Sequence, residues 1–170
     1  MFICEKRIKE LLSCSREAII QVSCGDAVAL GRKRRITMDV TDKLNMTMLC
    51  DFYELTMGNG YFEAGLQNRI TYFDVFFREI PDHGGYAICA GLDRIIDYIL
   101  DLHFSEEDIA YLRSKGLFSE AFLSYLRNFH FTGDIWAIPE GTPIFPQEPV
   151  ITVRAPAIQA QLVETFLLLI

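Results

Sequence analysis

The residues with most chemistry to offer sit in one stretch, Leu49-Cys50-Asp51-Phe52-Tyr53-Glu54-Leu55-Thr56-Met57. It sets an acid two residues ahead of a phenol, among large apolar side chains. A helix meant only for burial would take up the aromatics, but it has little use for Asp51 or the Tyr53 hydroxyl. A surface that stacks a flat ligand uses both. Arg78 closes the run Phe73-Asp74-Val75-Phe76-Phe77-Arg78, and its planar guanidinium suits phosphate oxygens. For either Tyr53 or Arg78 taken singly, a core or surface role is the commoner one. The stretch therefore leaves two readings open, core helix and binding surface.

Self-sufficient catalytic motifs are absent. The chain has no P-loop, no G-x-G-x-x-G after a strand, no H-E-x-x-H and no G-x-S-x-G. Gly84-Gly85 reads as a hairpin turn, and Glu106-Glu107-Asp108 as a helix start. His83, His103 and His130 lie far apart and are expected to be structural. Cys4, Cys14, Cys24, Cys50 and Cys89 form no CxxC or zinc spacing, so reduced thiols and no metal site are expected.

Composition narrows the class. Of 170 residues, 51% are hydrophobic and 12% aromatic, enough for a buried core. A net charge of -7 disfavours a nucleic-acid partner. No apolar run reaches membrane-spanning length, and no signal peptide is recognisable, so a cytoplasmic protein is expected. The charge is uneven: residues 1–36 carry eight Lys/Arg against four Asp/Glu, and the remainder eight against nineteen. The break falls at Arg32-Lys33-Arg34-Arg35. Arg34-Arg35 can be encoded by AGG-AGG, a purine-rich ribosome-binding sequence, two codons ahead of Met38. Residues 1–37 are on this view a translated leader, which CGN codons at both arginines would rule out.

The pattern then calls for alternating elements. Residues 50–64 read as a helix with Asp51 near its positive end. Gly58 and Gly60 suggest close approach, and Gly65 a stop. Residues 70–80 read as a strand, with Tyr72, Asp74, Phe76 and Arg78 on one face and Phe73, Val75 and Phe77 on the other. A turn at Asp82-His83-Gly84-Gly85 and a short strand over 86–90 follow. Helices are expected over 93–102, from Ser105 to Lys115 behind an S-x-x-D cap, and from Ser119 onward. Pro-punctuated strands cover 135–138, 144–145 and 150–154. Residues 157–170 read as one helix, apolar nearly all round, that needs a covering surface downstream or on another subunit. The fold class is α+β, organised as a basic leader (1–37), an α/β portion (38–132), a β-rich segment (133–156) and a terminal helix (157–170).

Several runs, in order, carry a resemblance: Leu49 to Met57, Phe73 to Arg78, Tyr86-Ala87-Ile88-Cys89-Ala90-Gly91-Leu92, Gly116-Leu117-Phe118-Ser119, Phe131-Thr132-Gly133-Asp134, Pro139-Glu140-Gly141-Thr142-Pro143 and Gln161-Leu162-Val163-Glu164-Thr165. From about Met46 to Ile170 the chain resembles the opening of nicotinate phosphoribosyltransferases. Residues 1–37 match nothing in that family. The resemblance implies the N-terminal α/β domain of a type II phosphoribosyltransferase with a small β-rich subdomain, lacking most of the α/β barrel. It implies an enzyme of NAD salvage that joins nicotinate to phosphoribosyl pyrophosphate, giving nicotinate mononucleotide, with ATP and Mg2+ as cofactors. It also implies a homodimer with shared sites.

Carried onto matching positions, the resemblance makes Tyr53 the residue that stacks on the pyridine ring, Arg78 a contributor to the phosphate end, and Asp51 an orienting group. An electron-poor ring does prefer an offset aromatic face. The family's barrel histidine, ribose-phosphate loop and carboxylate-binding arginine have no counterparts here and are not transferred to His83, His103 or His130. No catalytic residue is assigned, and the segment alone is expected to be inactive. The alternatives are a nicotinamide-using relative and a non-catalytic remnant that only binds or dimerises. A downstream reading frame encoding a barrel separates enzyme from remnant.

Overall fold

The computed structural model describes residues 20–23 and 45–170. The basic run Arg32 to Arg35 and the leader boundary lie outside the described residues. Ile20–Ser23, in the region expected to be a leader, form strand β1, which pairs antiparallel with Asp134–Ala137.

Five further strands are built where β-branched and aromatic residues gather. They are β2 (Ile70–Val75), β3 (Ala87–Ile88), β4 (Asp134–Ala137), β5 (Pro143–Ile144) and β6 (Ile151–Pro156). The main sheet has the order β1-β4-β6-β2 and is antiparallel throughout; β3 and β5 pair separately. The strands of 133–156 thus pair with β2 and β3, from the α/β portion.

The alternation expected for residues 70–80 holds as far as the strand does. Tyr72 and Asp74 lie on a polar face: Arg154 Nε donates to Tyr72 Oη at 3.2 Å, Arg154 Nη1 reaches Asp134 Oδ2 at 3.1 Å, and Thr152 Oγ1 donates to Asp74 Oδ1 at 2.6 Å. Phe73 and Val75 pack on the core. The strand stops at Val75, five residues short of the expected end. Its partner β6 begins at Ile151, and the chain before that carries Pro149 and Pro146, which have no N–H to give a ladder. Residues 76–80 leave the sheet as irregular backbone, pinned by Gln147 N to Phe77 O at 2.7 Å.

The helices are α1 (Phe52–Glu63), α2 (Leu92–Asp101), α3 (Glu106–Ser114), α4 (Glu120–Arg127), α5 (Ala157–Leu162) and α6 (Glu164–Leu169). Local capping chemistry explains two starts. Ser105 Oγ accepts from Asp108 N at 3.1 Å while Asp108 Oδ2 accepts from Ser105 N at 2.8 Å, a reciprocal capping box. Ser119 Oγ accepts from Phe122 N at 3.2 Å. Ser105→Ala is expected to cost about 1 kcal/mol in urea denaturation; an unmoved midpoint would show that the box adds nothing. Gly65, at φ 71°, ends the chain's turn out of α1.

The single helix expected over 157–170 is broken at Val163. Just past the break, Thr165 N donates to Glu54 Oε1 at 3.2 Å. Residues 157–163 are buried, as are Phe166 and Leu167, whereas Leu168, Leu169 and Ile170 are exposed. The core gathers Leu55, Ile109, Leu112, Phe122, Leu126 and Ile158 between the helices and the sheet. Gly58 lets α1 sit against it, since an added Cβ would meet Phe122 Cζ at 3.3 Å; around Gly60 nothing lies within 4 Å, so close approach holds for the first glycine only.

Candidate functional site

Helix α1 turns its inner face to α5 and leaves Phe52, Tyr53 and Met57 exposed at its start. Tyr53 is 46% exposed despite its size. Phe52 beside it stands edge-on to Phe118, with ring centroids 5.9 Å apart. Met57, one turn on, accepts through sulfur from Gln161 Nε2 at 3.4 Å. The result is an aromatic face on a helix that is otherwise anchored.

Asp51 is the N-cap residue of α1, but its side chain caps nothing. Its backbone N donates instead to Thr165 Oγ1 at 3.2 Å. Thr165 Oγ1 in turn donates to Glu54 Oε1 at 2.8 Å. Glu54 is wholly buried, and its Oε2 has no partner among the described residues. Burial pushes this carboxyl up to about 7; the bonds from Thr165 oppose the rise, and the charges of Glu164 and Asp51 add to it. Tyr53 is also raised, by burial and then by Glu164, Glu54 and Asp51, which keeps it a neutral phenol. Cys50 is pushed up to about 12 by burial and by Glu54, Asp51 and Asp108, so its thiol is no nucleophile.

Asp51 and Tyr53 therefore share one helix start. Arg78 sits on another element, three residues past β2 and exposed, with its carbonyl accepting from Gln147 Nε2 at 2.8 Å. No hydrogen bond or ion pair among the described residues joins it to Asp51 or Tyr53. His103 and His130 make local contacts through Nδ1 to the carbonyls of Asp101 and Asn128. Among the described residues, no three His, Cys, Asp or Glu side chains gather to hold a metal ion.

Two participants were not singled out by sequence. Glu54 reads as a surface residue, and its partner lies 111 positions away. Glu140, in the Pro139-Glu140-Gly141-Thr142-Pro143 run, accepts through Oε1 from Gly91 N at 2.9 Å and Asp93 N at 3.4 Å, capping α2. Both partners are remote in sequence, so no local spacing announced either contact.

The N-terminal domain profile of nicotinate phosphoribosyltransferase (NAPRTase) matches residues 48–170. Nicotinate phosphoribosyltransferase pncB2 of Mycobacterium tuberculosis is 45% identical over 121 residues, covering 71% of this chain and 26% of its own. Nicotinate phosphoribosyltransferase of Bacillus subtilis is 36% identical over 124 residues, covering 73% and 25%. The crystal structure of human nicotinic acid phosphoribosyltransferase superposes with a TM-score of 0.65 at 32% identity, covering 71% of this chain and 25% of that one. A mixed α+β layer with an exposed tyrosine at a helix start is thus the N-terminal domain of a phosphoribosyltransferase. The chain belongs to the nicotinate phosphoribosyltransferase family. It spans about a quarter of the length of the curated relatives it matches. No helix among the described residues is long and apolar enough to cross a membrane.

Proposed function

We propose that the chain forms the N-terminal, nicotinate-facing part of an enzyme that joins nicotinate to phosphoribosyl pyrophosphate, giving nicotinate mononucleotide and pyrophosphate in NAD salvage in the cytoplasm. The observation that carries this is Tyr53: a large aromatic left exposed on an anchored helix, inside the segment that the family profile matches. Its neutral ring stacks on the electron-poor pyridine. The exposed guanidinium of Arg78 serves the phosphate-rich end, on the same or a second subunit of a homodimer with shared sites. Asp51 orients the helix start through its backbone.

Catalysis by such a site is positioning and charge stabilisation around a ribosyl centre that develops positive charge. ATP hydrolysis would supply further driving force. No three His, Cys, Asp or Glu side chains gather among the described residues, and no residue of this segment is assigned to ATP or Mg2+.

Tyr53→Ala in the complete enzyme is expected to raise the nicotinate KM on the order of tenfold or more, from loss of stacking of roughly 1–3 kcal/mol. Steady-state kinetics with each substrate varied in turn checks this, alongside a melting curve. A nicotinate KM that stays put would sink the stacking role.

A further inference from the structure

We propose that Glu54 and Thr165 are positioning residues for Tyr53, holding the first turn of α1 so that the phenol ring is presented to a flat, electron-poor ring. This rests on the stacking role proposed above. Glu54 follows Tyr53 directly, so the two side chains leave the helix about 100° apart, and holding one inward sets the other outward.

The hold is made by one hydroxyl. Thr165 Oγ1 accepts from Asp51 N at 3.2 Å and donates to Glu54 Oε1 at 2.8 Å, while Thr165 N reaches the same carboxyl oxygen at 3.2 Å. Both residues that flank Phe52 and Tyr53 are thereby tied to α6. That helix is itself anchored, because Phe166 stacks on Tyr98 with ring centroids 3.8 Å apart. The Asp51 side chain makes no cap hydrogen bond to α1, so these bonds stand where a cap would. Glu164, next to Thr165, lies beside Tyr53 and feels its hydroxyl. Packing alone gives no reason for an acid here. A buried carboxyl with one oxygen unpaired destabilises the fold, and an aliphatic side chain would fill the space without that cost. What the carboxyl adds is direction: it fixes the azimuth of α1 about its own axis.

The test uses NMR of the 170-residue chain with ring-labelled tyrosine, the Tyr53 signals being assigned by their loss in Tyr53→Phe. Wild type, Thr165→Ser and Glu54→Gln keep the hydroxyl and the acceptor oxygen, and are expected to show one sharp Tyr53 environment at the same shifts. Thr165→Val and Glu54→Leu are expected to shift or broaden it, with the signals of Tyr111 on α3 unmoved. A role in packing alone would lower Tm in these two variants and leave the Tyr53 signals in place, which would overturn the proposal. Should Thr165→Val fail to fold, the Glu54→Leu against Glu54→Gln comparison gives the same answer. In the complete enzyme, Thr165→Val is expected to raise the nicotinate KM on the order of tenfold, with kcat and the phosphoribosyl pyrophosphate KM changed less than about twofold; Thr165→Ser restores it. If Tyr53 signals respond to Thr165→Val but Tyr53→Ala leaves the nicotinate KM unmoved, the stacking reading falls and the positioning stands.

Discussion

Gly133→Ala is expected to lower stability by about 3 kcal/mol or more, roughly 10 °C in Tm for a domain of this size. A Cβ built on Gly133 would lie 2.5 Å from Ala155 Cβ, 2.6 Å from Arg154 O and 2.8 Å from Phe131 Cζ. Two of those neighbours belong to β6, which is paired on one side with β4 and on the other with β2. That strand has no direction in which to yield, and the Phe131 ring is itself buried. Gly60→Ala is the matched control. It is exposed in the interior of α1 with nothing within 4 Å of an added Cβ, so it is expected to stabilise by up to about 1 kcal/mol. Thermal melts of the two variants side by side check the contrast; a Gly133→Ala Tm within a degree or two of wild type would show that the entry to β4 can move.

Glu54→Gln is expected to flatten the dependence of stability on pH. The carboxyl is raised from its ordinary 4.5 to about 7 in the folded chain, so the folded state holds this proton more tightly than the unfolded one. The contribution is complete below about pH 4.5 and is lost as pH rises through 7. Above pH 8 the buried charge costs on the order of 3 kcal/mol relative to acid conditions. Glutamine keeps an oxygen for Thr165 and has nothing to ionise. The variant is therefore expected to exceed wild type above pH 7 and to converge with it near pH 5. The charges of Glu164 and Asp51 face the same site, and Cys50 and Tyr98 stay neutral, both raised by burial. Urea titrations at several pH values check it, and parallel pH profiles for the two proteins would refute it.

What the sequence made legible was local. Ser105 with Asp108, and Ser119, lie within one turn of the groups they cap, so their spacing announces them. Alternation in β2 is a property of the strand itself, and Tyr72 and Asp74 fell on the polar side as their types require. The overrun to Ile80 came from a limit set elsewhere, by the start of β6. The terminal helix is similar: its apolar run hides a break at Val163, beside which Thr165 bonds the distant Glu54. At the site, Asp51 and Tyr53 were marked by their types and by the family resemblance. Glu54 was not, because an acid on a helix reads as solvated until its distant partner is known. Arg78 was readable as a cation, and among the described residues no hydrogen bond or ion pair joins it to Tyr53.

The pairing of β2 with β6 has a kinetic side. Ile70 to Val75 meet partners about eighty positions downstream, so this edge strand must wait while α2, α3 and α4 form from neighbouring residues. At ribosomal speeds the wait is on the order of ten seconds, with an aromatic strand unpaired on both sides. Such an interval is long enough for the strand to find another nascent copy, and a fold of this topology should close slowly and depend on being made at low crowding of its own kind.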